Sequence, residues 1–130
     1  MKKVLLILFL VSYSVVDMKY GVGCMAYGQE ATDPYVLRQE ALWDFDQGKA
    51  ADAQKKLIKA YDLFVAMEEW DMASMCLYER AIDYMNIGDW ANMWMQCKEL
   101  KSLNDQYPST MVAYNYHSVA SGYYSYMEDS

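Results

Sequence analysis

The feature that most limits how this chain can fold is an echo within it. Displacing the sequence by about 40 residues, a shift in the range of helical repeat arrays, brings Leu37 onto Leu77, Ala41 onto Ala81 and Gly48 onto Gly88. The same shift brings Ala51 onto Ala91 and Leu63 onto Leu103. Leu42 on Ile82 and Phe45 on Met85 are conservative pairs in that register. The matches fall where helices would touch or turn. A chain that repeats its own contact pattern is built from copies of one unit, each covering an apolar face that its neighbour cannot bury alone. An isolated four-helix bundle explains each apolar stripe but leaves the shared register without a reason.

The unit reads as a helical hairpin. Asp33 can cap a helix whose first position is Pro34, where a missing amide costs nothing. Leu37, Ala41 and Phe45 recur at four-residue steps with Leu42 beside them, and Gly48 ends the run. From Ala50 to about Glu69, the row Ala50, Ala53, Leu57, Ala60, Phe64 and Met67 keeps helical spacing. A third helix is expected to start near Trp70, capped by Asp71, with its apolar row on Met75, Tyr78, Ile82 and Met85. Gly88-Asp89 supplies a stop and a fresh cap for a fourth helix bearing Trp90, Met93, Cys97 and Leu100, broadened by Trp94 and Leu103. Tyr107-Pro108-Ser109 ends it, because residues before proline resist helical geometry. A last helix carries Val112, Tyr116, Val119, Tyr123 and Met127, with a strand over 122–127 as the alternative. The expected organisation is all-α: a signal segment over 1–28, then a helical repeat domain over 29–130 made of hairpins 34–69 and 71–107 and a final helix 109–127.

These residues resemble a tetratricopeptide repeat. The Gly-Asp-aromatic turn of that family is matched by Gly88-Asp89-Trp90, whereas Gly48-Lys49-Ala50 keeps only the glycine. The family's small crossing residues correspond to Ala41 and Ala81 in the first helix of each unit and to Ala53 and Ala60 in the second helix of the first unit. Met93 and Leu100 depart from that pattern, and the family aromatic is present as Tyr84 but absent at Asp44. The repeat spacing is also longer than the roughly 34 residues usual in the family. The resemblance, over about 35–127, implies antiparallel hairpins stacked as a short right-handed solenoid that binds protein or peptide.

Lys2 and Lys3 precede the apolar run Val4 to Val11, with weaker apolar character to Val16 and a close at Asp17. That is the layout of a secretory signal and too short for a spanning helix. Ala26-Tyr27-Gly28 supplies the small residues of a cleavage site, and Gly23-Cys24 is a weaker lipoprotein-like alternative. Localisation is therefore expected to be exported, periplasmic or envelope-associated, with no membrane span in the mature chain. An export segment ahead of long repeats also resembles the extracytoplasmic beginning of bacterial membrane-bound sensory regulators. Met127-Glu128-Asp129 arrives one repeat length after Ile87-Gly88-Asp89, where another inter-helix turn is due. The tyrosine-rich last helix thus predicts continuation or self-association rather than a polar cap.

Charge and chemistry narrow the function. Eighteen acidic against eleven basic residues give a net charge of -7, which repels a nucleic-acid backbone. No phosphate loop, nucleophile elbow or metal-protease motif is present in the sequence, so no enzyme and no cofactor are expected. His117, the single histidine, reads as a partly exposed helical residue. Glu68, Glu69 and Asp71 read as a solvated turn, with a weak divalent-ion contact as the lesser alternative. Cys76 and Cys97 read as two reduced thiols. A bridge between them is the alternative, since a hairpin at Gly88 offsets them by roughly 4 to 5 Å. Trp43, Trp94, Tyr114 and Tyr124 are the candidate binding aromatics, because such side chains give large contact area at modest entropy cost. The expected function is non-catalytic binding of a protein or peptide. A self-associating bundle and a saccharide-binding module are the alternatives.

Overall fold

The structure is a computed structural model that describes residues 32–129. The expected signal segment over 1–28 and Cys24 lie outside the described residues. Within them the regular structure is five helices: α1 (Pro34–Asp46), α2 (Ala50–Ala66), α3 (Trp70–Asn86), α4 (Trp90–Gln106) and α5 (Thr110–Asp129). The tyrosine-rich stretch 122–127 is helical, which removes the strand alternative.

From α2 onward the helices start at even intervals, at Ala50, Trp70, Trp90 and Thr110, and the first three joints share one construction. The middle residue of each adopts left-handed geometry: Gly48 at φ 77°, Glu68 at 59° and Gly88 at 75°. Two nested hydrogen bonds then absorb the last carbonyls of the helix. The Lys49 amide donates to the Asp44 carbonyl (2.7 Å) and Gly48 to Phe45 (3.1 Å). Glu69 donates to Phe64 (2.9 Å) and Asp89 to Tyr84 (2.8 Å) in the same way. The fourth joint contains Pro108, and there the Ser109 hydroxyl caps α5 by accepting from the Val112 amide (3.1 Å).

Packing follows chain order, α1 on α2, α2 on α3, α3 on α4 and α4 on α5, and α5 also returns onto α3. Helices two apart are linked by side chains as well. Arg38 of α1 forks onto Glu79 of α3, with Nε 2.9 and 3.0 Å from the two carboxylate oxygens. The Tyr61 hydroxyl of α2 donates to Glu99 of α4 (3.1 Å), and Asn115 of α5 donates to the Ser74 hydroxyl of α3 (2.9 Å).

The core is a chain of small contacts. Ala41, Ala53, Ala60, Ala73 and Ala81 are fully buried, which lets helix axes approach closely where they cross. Leu37, Leu57, Phe64, Leu77, Met93, Leu100, Val112 and Val119 fill the intervening space, each worth about 1.5–3 kcal/mol of transfer free energy. Two expectations for α3 are corrected. Its buried row is Ala73, Cys76, Leu77 and Ala81, while Met75, Tyr78, Ile82 and Met85 are only half-buried. α3 packs on α2, α4 and α5, so its innermost positions must be small and its bulkier residues move to the edge. Asp71 is not the cap either: Glu69 holds that position without a side-chain bond, and Asp71 accepts instead from the Ser109 hydroxyl of the fourth joint. Met67 and Met127, placed at the ends of their stripes, are exposed because each lies at or beyond the last turn of its helix.

Candidate functional site

Two of those displaced α3 residues, Tyr78 and Ile82, wall a groove. Leu42 and Phe45 of α1 face Tyr78 and Ile82 of α3 across a cavity of about 380 Å³, with Glu79, Asp83 and Asn86 on its border. The arrangement follows from the local sequence. Leu42 and Phe45 stand beside the buried Leu37–Ala41 row, as Tyr78 and Ile82 stand beside Leu77–Ala81, so each helix carries a second apolar row that its own hairpin partner leaves uncovered. Arg38 and Glu79 tie the two helices together. Their side chains are mostly buried, and the hydrogen bond to Glu79 is the main reason the Arg38 guanidinium holds its proton more tightly than usual. Asp83 accepts from the neutral Gln54 amide (2.9 Å), which leaves its negative charge in place on the border.

A second polar cluster sets register. Arg80 donates through Nε to Gln54 of α2 (2.8 Å), through Nη1 to Gln96 of α4 (3.2 Å) and through Nη2 to the Tyr84 hydroxyl (3.2 Å). The positions 40 residues earlier carry the opposite chemistry: Lys56 lies 2.7 Å from Asp44 and 3.8 Å from Glu40. Each hairpin therefore closes the same three-position site, once with a lysine on two carboxylates and once with an arginine on an amide and a phenol. The Asp44 hydrogen bond raises the Lys56 pKa, whereas burial raises that of Glu40 against the pull of Lys56.

The residues singled out from sequence divide clearly. Ala41, Ala53, Ala60 and Ala81 sit at buried crossings, and Gly48 and Gly88 hold the left-handed joints. Asp89 caps α4 by accepting from the Asn92 amide (3.2 Å). Tyr84 accepts from Arg80, and Trp90 stacks on Tyr126 with ring centroids 3.7 Å apart. Of the candidate binding aromatics, Trp94 and Tyr124 meet edge to face at 6.1 Å, with Tyr123 stacked on Trp94 at 4.8 Å. Trp43 is exposed on α1 and Tyr114 near the start of α5, so the four are spread over three helices. None of them lines the groove.

Chemistry-bearing groups do not converge. Glu69 accepts from the Tyr35 hydroxyl (3.3 Å), Asp71 from Ser109, and Glu68 occupies a strained joint. Among the described residues no group of histidine, cysteine, aspartate and glutamate could hold a metal ion. His117 is exposed beside the Tyr116 ring. Cys76 and Cys97 are free and buried. Burial, with Glu79 adding to it, pushes the Cys76 thiol up to about 12, and burial raises Cys97 too, so neither is a thiolate nucleophile near neutral pH.

Periodicity alone hides the groove, because it places Tyr78 and Ile82 on the core row of α3. The signal is present in the pair Leu42/Ile82, which repeats directly beside the alanines Ala41 and Ala81 rather than on their row. No described helix is long and apolar enough to cross a membrane. Comparison with known proteins finds no matching family model, no matching curated protein and no matching solved structure.

Proposed function

We propose that this chain is a non-catalytic binding domain of the tetratricopeptide type, its hairpins stacked as a short right-handed solenoid and its partner a protein or peptide lying along the α1–α3 groove. One observation carries the reading: successive hairpins each contribute apolar residues, Leu42 and Phe45 from one and Tyr78 and Ile82 from the next, to one cleft with Asp83 on its border. The links between helices two apart, Arg38 to Glu79, Tyr61 to Glu99 and Asn115 to Ser74, support side-by-side stacking over wrapping around one centre. The fitting ligand is a segment with an apolar side chain next to a lysine or arginine, whose stem lies on the cleft floor while its head reaches Asp83. The saccharide alternative has less support, because Trp70, Trp90 and Trp94 each spend a ring face on a tyrosine. In this reading the domain works outside the cytoplasm, as the Lys2-Lys3 and Val4–Val11 layout suggests, at the front of a sensory receptor.

The test is selection from a displayed random-peptide library against the full chain. Enriched sequences should pair a cation with an apolar neighbour. Asn86→Lys, an exposed border substitution, should weaken the selected peptides by about tenfold, the worth of one unfavourable charge contact at ~1.4 kcal/mol, while leaving the helical circular dichroism unchanged. Peptides lacking cations, or binding the variant equally well, would overturn the reading.

A further inference from the structure

The repeat register identifies a second surface, on α5. In α1 the row Pro34, Leu37, Ala41 and Asp44 is buried, and α1 packs on α2. In α3 the equivalent row is Ser74, Leu77, Ala81 and Tyr84, of which the first three are buried, and α3 packs on α4. The same register on α5 gives Tyr114, His117, Ser121 and Tyr124, and this row is exposed: Tyr114 at 65% and Tyr124 at 51%. Ser121 stands where the small crossing residues Ala41 and Ala81 stand. The row is thus a helix-docking position of the repeat with no helix of the described residues on it.

Two properties select the occupant. From Thr110 to Met127 the helix holds no aspartate, glutamate, lysine or arginine, in a chain of net charge -7. Copies of so acidic a chain repel one another across most of their surface, and this stretch is free of that penalty. The row is also symmetric, with successive spacings of three, four and three. An antiparallel copy of α5 therefore meets the row in its own register, placing Tyr114 opposite Tyr124 and His117 opposite Ser121 about a two-fold axis. We propose that α5 is a homodimerisation surface whose occupant is the α5 of a second copy. Tyr124 is already braced by Trp94 and Tyr123, so presenting its ring costs little further ordering.

Sedimentation equilibrium of the full chain from about 1 to 300 µM tests this; a dimer is expected within that range, the affinity of a small transient interface. Ser121→Arg enters a two-fold contact twice, so a tenfold loss per copy raises the dissociation constant about 100-fold. Helical circular dichroism should be unchanged, since Ser121 is exposed. Mixing the His117→Glu and Ser121→Arg chains should give heterodimer in excess of either homodimer, because only the antiparallel register sets 117 against 121. A monomer throughout the range, a dimer indifferent to Ser121→Arg, or a mixture without heterodimer preference would each overturn the proposal. The first result, with a different protein captured through Tyr114 and Tyr124, would assign the row to another partner.

Discussion

At Glu68 the backbone takes φ 59° in a residue with a Cβ, at the joint position that Gly48 and Gly88 fill elsewhere. Left-handed geometry costs such a residue roughly 1–2 kcal/mol, and asparagine pays less because its short amide bonds locally. Glu68→Asn should therefore stabilise the domain by about 0.5 kcal/mol, raising its melting temperature by about 2–4 °C. Gly48→Ala should do the reverse by about 1 kcal/mol, and purely through the backbone, since nothing lies within 4 Å of where its Cβ would stand. Thermal scans of both variants would check the pair, and equal destabilisation by both would contradict it. This is also where sequence is most and least informative. Gly48 and Gly88 announce two joints because glycine is the default at positive φ. Glu68 announces nothing, and that joint is legible only through the restart of the apolar pattern at Trp70.

The helices themselves are readable, and the rows on α2 and α4 largely coincide with the buried positions; on α1 only Leu37 and Ala41 of the row are buried, and on α5 only Val112 and Val119, with Asn115 and Ala120 buried beside them. α3 departs furthest. A helix flanked by three others offers no single solvent side, so the rule that the bulkiest row faces inward fails, and its innermost positions go to Ala73, Cys76 and Ala81. The groove follows from that failure: what looks like the core of α3 is the wall of the candidate site. Polar ties such as Arg80 with Gln54 and Gln96 are not legible either, since they join residues 26 and 16 positions apart with no local signature. Ala81 gives the sharpest test at this scale. It is fully buried at the crossing of α3 with its neighbours, so Ala81→Leu must force helices apart, at a cost of about 1–3 kcal/mol. A urea titration should show a lower midpoint at an unaltered slope. An unchanged midpoint would mean the crossing is looser than its burial indicates.

For the whole molecule, the two surfaces make opposite demands on charge. In the proposed reading, cation capture in the groove draws on attraction to Asp83, since Glu79 is already paired with Arg38, and to the net charge of -7. The proposed pairing of two α5 helices would proceed against that same net charge. Added salt shortens the screening length from about 10 Å at 0.1 M to about 3 Å at 1 M, which weakens the attraction and relieves the repulsion together. Raising salt from about 0.1 to about 0.5 M should therefore loosen a cationic groove peptide severalfold, read by calorimetry, and leave the dimer equal or tighter, read by sedimentation. Asn86→Lys should flatten the salt response of the groove peptide while leaving that of the dimer unaltered, because Asn86 borders the groove and lies on α3. A dimer that dissociates as salt rises would mean that charged pairs hold it, and the charge-free row from Thr110 to Met127 could not then be the contact. A groove ligand that tightens with salt would point to apolar burial alone, and would remove the acidic border from recognition.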